Sequence, residues 1–249
     1  MNRIRGWIVG ATAALAAVAV PAVAQDAAEG PGKLSSTVSF MNDYVFRGIS
    51  QSDEHPAVQG SIDYTYQFED NLSGYFGIFG SNVDFDDGDE ASIEVDLYAG
   101  LKPKFGSAEL DIGVIAYLYP GAGGGTEYNY FEGKLGASYD FGFAIVSASA
   151  FYSPDYSASS NDSLYLMGGV DVPLPFGLAL EGHIGHQWIT QEQKFGTPDY
   201  LDWHVGIRFN YEGFVFAARY FDTDMSKDEC FGGLDWCGAR FVASVSRTF

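Results

Sequence analysis

Basic residues are scarce in this chain: 13 Lys and Arg stand against 33 Asp and Glu, for a formal charge of −20. A surface of that sign repels phosphate backbones and excludes nucleic acid as a partner. It keeps exposed regions hydrated but names no ligand by itself. Long hydrophobic runs are lacking too. Beyond the first two dozen residues none approaches the ~20 that a spanning helix needs, so a membrane passage would have to be made by strands closed into a barrel. Helix-favouring runs of Ala, Leu, Glu and Lys are missing from the same region, whereas glycine reaches 31 residues and aromatics 16%. That balance belongs to a β-protein.

The N-terminus is the exception. Arg3 and Arg5 precede an apolar run over 7–20, and Ala22, Val23 and Ala24 stand before Gln25. This is the pattern of an export signal cleaved after residue 24. An uncleaved anchor is the alternative, but the run is shorter than a spanning helix. Removing Arg3 and Arg5 lowers the formal charge from −20 to −22. The expected organisation is a signal peptide over 1–24, a short N-terminal segment over 25–33 and one β-domain over 34–249.

Within that domain apolar residues recur at period two, the mark of strands with unlike faces. Ala91, Ile93, Val95, Leu97, Ala99 and Leu101 alternate with Ser92, Glu94, Asp96, Tyr98, Gly100 and Lys102. The repeat predicts twelve strands, over 34–46, 57–68, 72–83, 91–102, 108–119, 128–139, 143–152, 163–172, 178–188, 200–211, 214–222 and 239–249. An even count suits a single-chain bacterial barrel. The connections alternate in length. Those at 69–71, 103–107, 140–142, 173–177 and 212–213 are short, whereas 84–90, 120–127, 153–162, 189–199 and 223–238 are longer and polar. Short periplasmic turns and long outer loops are what a transmembrane antiparallel up-and-down β-barrel shows. Aromatics fall at strand ends, Tyr66, Phe68, Tyr139, Phe209, Tyr211 and Phe214 at one edge and Tyr152, Trp188, Trp203 and Tyr220 at the other, as interfacial girdles do. A soluble sandwich has no reason to place them there.

On this register the acids directed inward are Asp63, Glu94, Asp96, Glu109, Asp111, Glu132, Asp171, Glu181 and Asp202, and the bases are Lys102, Lys134, Arg208, Arg219 and Arg240. In an open, hydrated lumen the acidic excess favours cations. The alternative is that acids and bases pair across a partly filled interior. Arg47, Arg208, Arg219 and Arg240 would form a basic strip against those acids. His183 and His204 face inward on adjacent strands and, with Glu181 or Asp202, are metal-ligand types, though such residues more often only hydrogen-bond; no metal is assigned. Asp84, Asp86, Asp87, Asp89 and Glu90 surround Gly88 with oxygen donors of the kind calcium takes, but lack the spacing of an EF-hand loop, so a solvated loop is the simpler reading. Cys230 and Cys237, in a chain expected to be exported, form a candidate loop disulfide; a metal pair would lack further ligands.

No catalytic residues are assigned. His186 near the outer rim and the loop residues Ser157, Ser159 and Ser160 leave a rim hydrolase as a distant third reading. The glycines over 121–125 precede no helix and cradle no phosphate. The closing strand places Phe241, Ala243, Val245 and Phe249 on one parity, with Arg247 among them, and a C-terminal Phe249 after such a strand resembles an outer-membrane assembly signal.

The stretch Met41-Asn42-Asp43-Tyr44-Val45-Phe46-Arg47-Gly48-Ile49-Ser50-Gln51-Ser52 resembles the opening of the TorF family of porins, also described as a Gcw_chp-type proteobacterial family. Further similarity lies over 56–63, 152–156 and 245–249. The resemblance implies an outer-membrane location and a pore, with no catalytic residues and no cofactor. The function expected is passive diffusion of small polar solutes or ions, with outer-membrane lipid, lipopolysaccharide and the barrel-assembly machinery as partners. A closed structural or adhesive barrel acting through its loops is the alternative.

Overall fold

The computed structural model describes residues 30–85, 91–123 and 126–249. The expected signal peptide, residues 25–29, the acidic residues Asp86, Asp87, Asp89 and Glu90, and Gly124 and Gly125 lie outside the described residues. The described residues form fourteen strands: β1 (Gly32–Met41), β2 (Val45–Phe46), β3 (Ile49–Ser50), β4 (Ala57–Glu69), β5 (Leu72–Asn82), β6 (Ile93–Phe105), β7 (Ala108–Leu118), β8 (Tyr130–Asp140), β9 (Ile145–Ser153), β10 (Ser163–Pro173), β11 (Leu178–Ile189), β12 (Tyr200–Tyr211), β13 (Phe214–Thr223) and β14 (Arg240–Thr248). All but β2 and β3 close into a twelve-stranded barrel of antiparallel sequence neighbours, and β2 and β3 form a separate hairpin.

Closure follows from the alternation. In β8, Tyr130, Glu132, Lys134 and Gly136 are buried while Phe131, Gly133, Leu135 and Ala137 are exposed. One parity fills the interior and the other presents an apolar outer surface, with Phe76, Phe131, Leu135, Phe143 and Phe241 all more than half exposed. An apolar belt of that extent is incompatible with water and requires lipid-like surroundings. No helix among the described residues is long and apolar enough to cross a membrane. The seam is β1 against β14, from Thr37 opposite Thr248 to Met41 opposite Ser244, extended by Ser36 N–H to Phe249 O at 3.1 Å and Phe249 N–H to Ser36 O at 2.8 Å.

Eleven of the twelve expected strands match to within three residues at each end. The first does not: it stops at Met41, five residues short of the expected end. Asn42 ends it by turning its amide onto β14, donating to Phe241 O at 3.0 Å and accepting from Ala243 N–H at 2.6 Å. The chain then leaves the wall and folds inward. The fourth, β6, instead runs past its expected end, through Pro103 to Phe105. Pro103 lacks an N–H, so the ladder to β7 passes from Leu101–Ile112 to Lys104–Glu109, and Lys104 N–H bonds Asn71 O at 2.8 Å. The turn after β6 therefore shrinks to Gly106 and Ser107.

A candidate channel lumen and its plug

The inward hairpin lies in the first outer loop, between β1 and β4. Its two-residue turn is Arg47-Gly48, with φ of 47° and 79°. Positive φ at both positions matches a type I′ turn, which Gly accepts freely and Arg does not. A Cβ on Gly48 would lie 2.5 Å from Thr223 Cγ2 and 2.8 Å from Asp202 Cβ, so the tip is wedged against the wall at β12 and β13. Asp43 fixes the base of the hairpin: it accepts from Ser50 at 2.6 Å and Ser52 at 3.2 Å and pairs with Arg240 at 2.9 Å.

Arg47 is the latch. Its guanidinium donates to Glu132 on β8 at 2.6 Å and to Gln187 on β11 at 2.7 Å, strands separated in the wall by β9 and β10. It also lies 4.8 Å from the Phe46 ring centroid, 5.2 Å from Phe151 and 4.3 Å from Tyr165. Glu132, Gln187 and Phe151 are 0% exposed. The lumen is occluded at this level. A charged side chain at a strained turn residue, buried across the barrel, is an arrangement that must be over-determined by its surroundings. Here two hydrogen bonds and three aromatic faces provide that.

Tyrosine is the second organising element. Glu94 accepts from Tyr44 and Tyr119, each at 2.6 Å. Asp111 accepts from Tyr75 at 2.7 Å, Glu132 from Tyr117 at 3.2 Å and Asp202 from Tyr165 at 2.8 Å, while Asp63 accepts from Tyr98. Phenol donors satisfy carboxylate oxygens without neutralising them. In the outer loops, burial and the Glu94 charge push the hydroxyls of Tyr44 and Tyr119 well above the usual phenol range, and burial raises Tyr156 to about 12. They therefore remain donors at any physiological pH.

The remaining charged residues fall into local groups. Lys134 pairs with Asp111 at 2.6 Å and Lys104 with Glu109 at 3.1 Å. Arg208 holds Asp171 and lies 3.2 Å from Glu181, which Arg219 also holds. Lys102 sits 5.1 Å from the Tyr75 ring. Asp96 is buried with Oδ1 lacking a hydrogen-bond partner. The expected basic strip is not a strip: Arg47 lies with Glu132, Arg208 and Arg219 with Glu181, and Arg240 with Asp43 and, at 3.4 Å, Glu54.

His183 and His204 are neighbours, but their rings stack at 5.0 Å with an interplanar angle of 6°. His183 Nε2 already meets Tyr165 at 2.8 Å and Asp202 at 3.1 Å. Stacked parallel rings do not converge their nitrogens on one ion. His186 stacks on Trp188 at 4.1 Å, and Trp188 is among the exposed outward residues, so it faces away from the lumen and the loop serines. Among the described residues, Asp53, His55 and Asp84 bring ligand atoms within 4.8 Å of one another at the outer rim. Cys230 and Cys237 are joined in a disulfide, the sixth outer loop's cross-link.

Sequence reasoning missed the inward course of residues 42–52. Asp43, Arg47 and the Arg47-Gly48 turn were its available signals, the dipeptide sitting between Val45-Phe46 and Ile49-Ser50.

Comparison with known proteins places this architecture. The family model described as "Bacterial protein of unknown function (Gcw_chp)" matches residues 25–249. No curated protein matches the chain. Among solved structures, the NanC porin aligns with a TM-score of 0.56 at 8% identity over 87% of this chain and 99% of its own. The KdgM porin, in complex with disordered oligogalacturonate, gives 0.53 at 8% over 87% and 98%. The COG4313 outer membrane channel from Pseudomonas putida F1 gives 0.52 at 14% over 90% and 97%. At these identities the likeness is one of fold, that of outer-membrane porins.

Proposed function

The chain belongs to the Gcw_chp family of bacterial proteins, and from its occluded barrel we propose that it is a gated outer-membrane channel for passive diffusion of small polar solutes or ions. The carrying observation is the plug. A barrel meant only as a solid post would be filled by its own wall; here a separate hairpin with a single charged latch closes a lumen lined with acids. Latches of charge and hydrogen bonds are reversible in a way that an apolar core is not, because water replaces the partners when the hairpin moves. Displacement of the hairpin opens a path past Glu132, Asp111 and Glu181.

The lipid-facing belt, the exposed girdle residues and the porin-like fold support residence in the bacterial outer membrane, reached by export under the signal peptide over 1–24. Phe249, on the closure seam and 65% exposed, is offered as the residue read by the barrel-assembly machinery, and the outer loops as the surface facing lipopolysaccharide. The resemblance of residues 41–52 to the TorF family of porins supports the same location. The excess of acids over bases supports a cation preference. No step of the proposed function is catalytic.

The test is conductance of the refolded protein in planar bilayers. The wild type is expected to be mostly closed with brief openings, and Arg47→Ala mostly open. A folded Arg47→Ala barrel that carries no current would overturn the channel and favour the second reading, a closed structural barrel acting through its loops, for which the complete occlusion at Glu132 and Gln187 is the supporting observation.

A further inference from the structure

Above the plug, all six outer loops enclose a cavity of about 460 Å³, within the size range of small-molecule sites. Two aromatic walls bound it. In one, Tyr130, Tyr156, Phe195, Phe231 and Trp236 follow one another with ring centroids 4.7, 5.1, 5.5 and 5.5 Å apart. In the other, Phe85 packs against Tyr119 at 5.7 Å and Tyr128 at 5.2 Å. The floor is the outer side of the hairpin, through Phe46, Ile49 and Ser50.

The chemistry of the lining selects the ligand. Several of its polar groups are turned into the protein: Tyr119 donates to Glu94, the Trp236 indole donates to Asp53 at 2.8 Å, Ser50 donates to Asp43, and the Gln51 amide to Ile49 O. What faces the cavity is predominantly apolar, ring surface foremost, beside hydroxyl-bearing residues such as Thr126 and Ser157. A sugar placed there would leave hydroxyls unpaired, each at a cost of about 1–3 kcal/mol, whereas a planar ring would stack. Among the described residues the lining includes no carboxylate and one charged side chain, Lys194, in a chain of formal charge −20. The Lys194 ammonium uses one donor on Ser159 O at 3.1 Å and retains two.

We infer that this outer vestibule is a binding site for a small planar aromatic carboxylate, its ring between the two aromatic walls and its anionic group at Lys194. The inference deepens the channel reading and rests on it for the direction the vestibule faces. A ligand on this floor touches the hairpin carrying Arg47, so the site is placed where uptake would begin.

The experiment is calorimetric titration of the detergent-solubilised, refolded protein with 2-naphthoate, 2-naphthalenemethanol and galacturonate, against protein-free micelles. Saturable 2-naphthoate binding is expected, with no heat from galacturonate. Lys194→Met, at an exposed position, should weaken 2-naphthoate two- to fivefold and leave 2-naphthalenemethanol unchanged. Ser157→Trp, which fills the cavity, should abolish both in a barrel whose heat-modifiable migration shows that it folded. Equal binding by Ser157→Trp and wild type, absence of 2-naphthoate binding, tighter binding of galacturonate, or equal loss of both naphthalene probes in Lys194→Met would overturn the inference. Because binding is read without current, saturable binding in a barrel that never conducts would sink the channel and leave the site standing.

Discussion

Arg47 and Glu132 set the energetics of closure at the scale of single residues. Removing one partner of a buried ion pair leaves the other uncompensated and typically costs about 3–5 kcal/mol. If the hairpin's docked state bears that cost in Arg47→Ala, its population falls by at least ~100-fold, since each 1.4 kcal/mol is a factor of ten. Bilayer recordings should therefore show open probability rising by that order, and Glu132→Gln, which keeps an acceptor, should give a smaller rise. A second residue-scale outcome concerns the sixth outer loop. The carboxylate of Glu229 accepts from Ser226 hydroxyl and backbone at 2.7 and 2.8 Å, and these bonds hold its pKa below the usual value. A depressed folded pKa means that the turn Lys227–Glu229 is supported above the unfolded Glu value and loses that support as pH falls through the lowered one. Side-chain NMR titration of Glu229 should show the depressed midpoint, and Ser226→Ala should move it upward; an unmoved midpoint would refute the assignment.

Among the elements, the hairpin β2–β3 depends on its turn. Gly48→Ala forces a Cβ at positive φ into Thr223 and Asp202, so it should undock the hairpin without removing any charged group. Equal gain of current in Gly48→Ala and Arg47→Ala, with protease cleavage newly gained within 42–56, would show that docking and not charge alone closes the lumen; cleavage without current would separate the two. The sixth loop has its own constraint. Closing a loop of this length with a disulfide is worth about 2 kcal/mol of loop ordering, so Cys230→Ser with Cys237→Ser should leave the barrel's thermal unfolding unchanged while loosening Phe231 and Trp236. The strands themselves were legible because each has one face in lipid and one in the lumen, and period two records that directly, as in Ile93 to Leu101. The hairpin was not legible as an inward element. Phe46 falls on the apolar parity of Leu34, Val38 and Phe40, and nothing in the sequence marks Asn42 as the residue whose amide bonds to β14 where the strand ends. The lumen was half legible: parity identifies which residues point inward, but partners such as Tyr75 for Asp111 or Tyr98 for Asp63 come from cross-strand register that one sequence does not display.

For the molecule as a whole, the proposed channel raises the question of what field a permeating ion would meet if the hairpin moved. Arg208, Arg219 and Lys134 pair with only part of the acidic interior, and the phenol donors on Asp63, Glu94 and Asp202 bring no positive charge. Displacing the hairpin also takes Arg47 away from Glu132, which adds an unpaired acid to the wall at the moment of opening. The opened lumen is thus more acidic than the closed one, and in a low-dielectric surround such walls concentrate cations. Under a KCl gradient, Arg47→Ala channels should reverse at a potential of the sign for cation selectivity. Adding Glu132→Gln should bring that potential toward zero with little change in open probability, because the latch is already broken. An anion-selective reversal in Arg47→Ala, or no change on adding Glu132→Gln, would mean that the conducting path avoids the Arg47 level and that the hairpin is a fixed part of the wall.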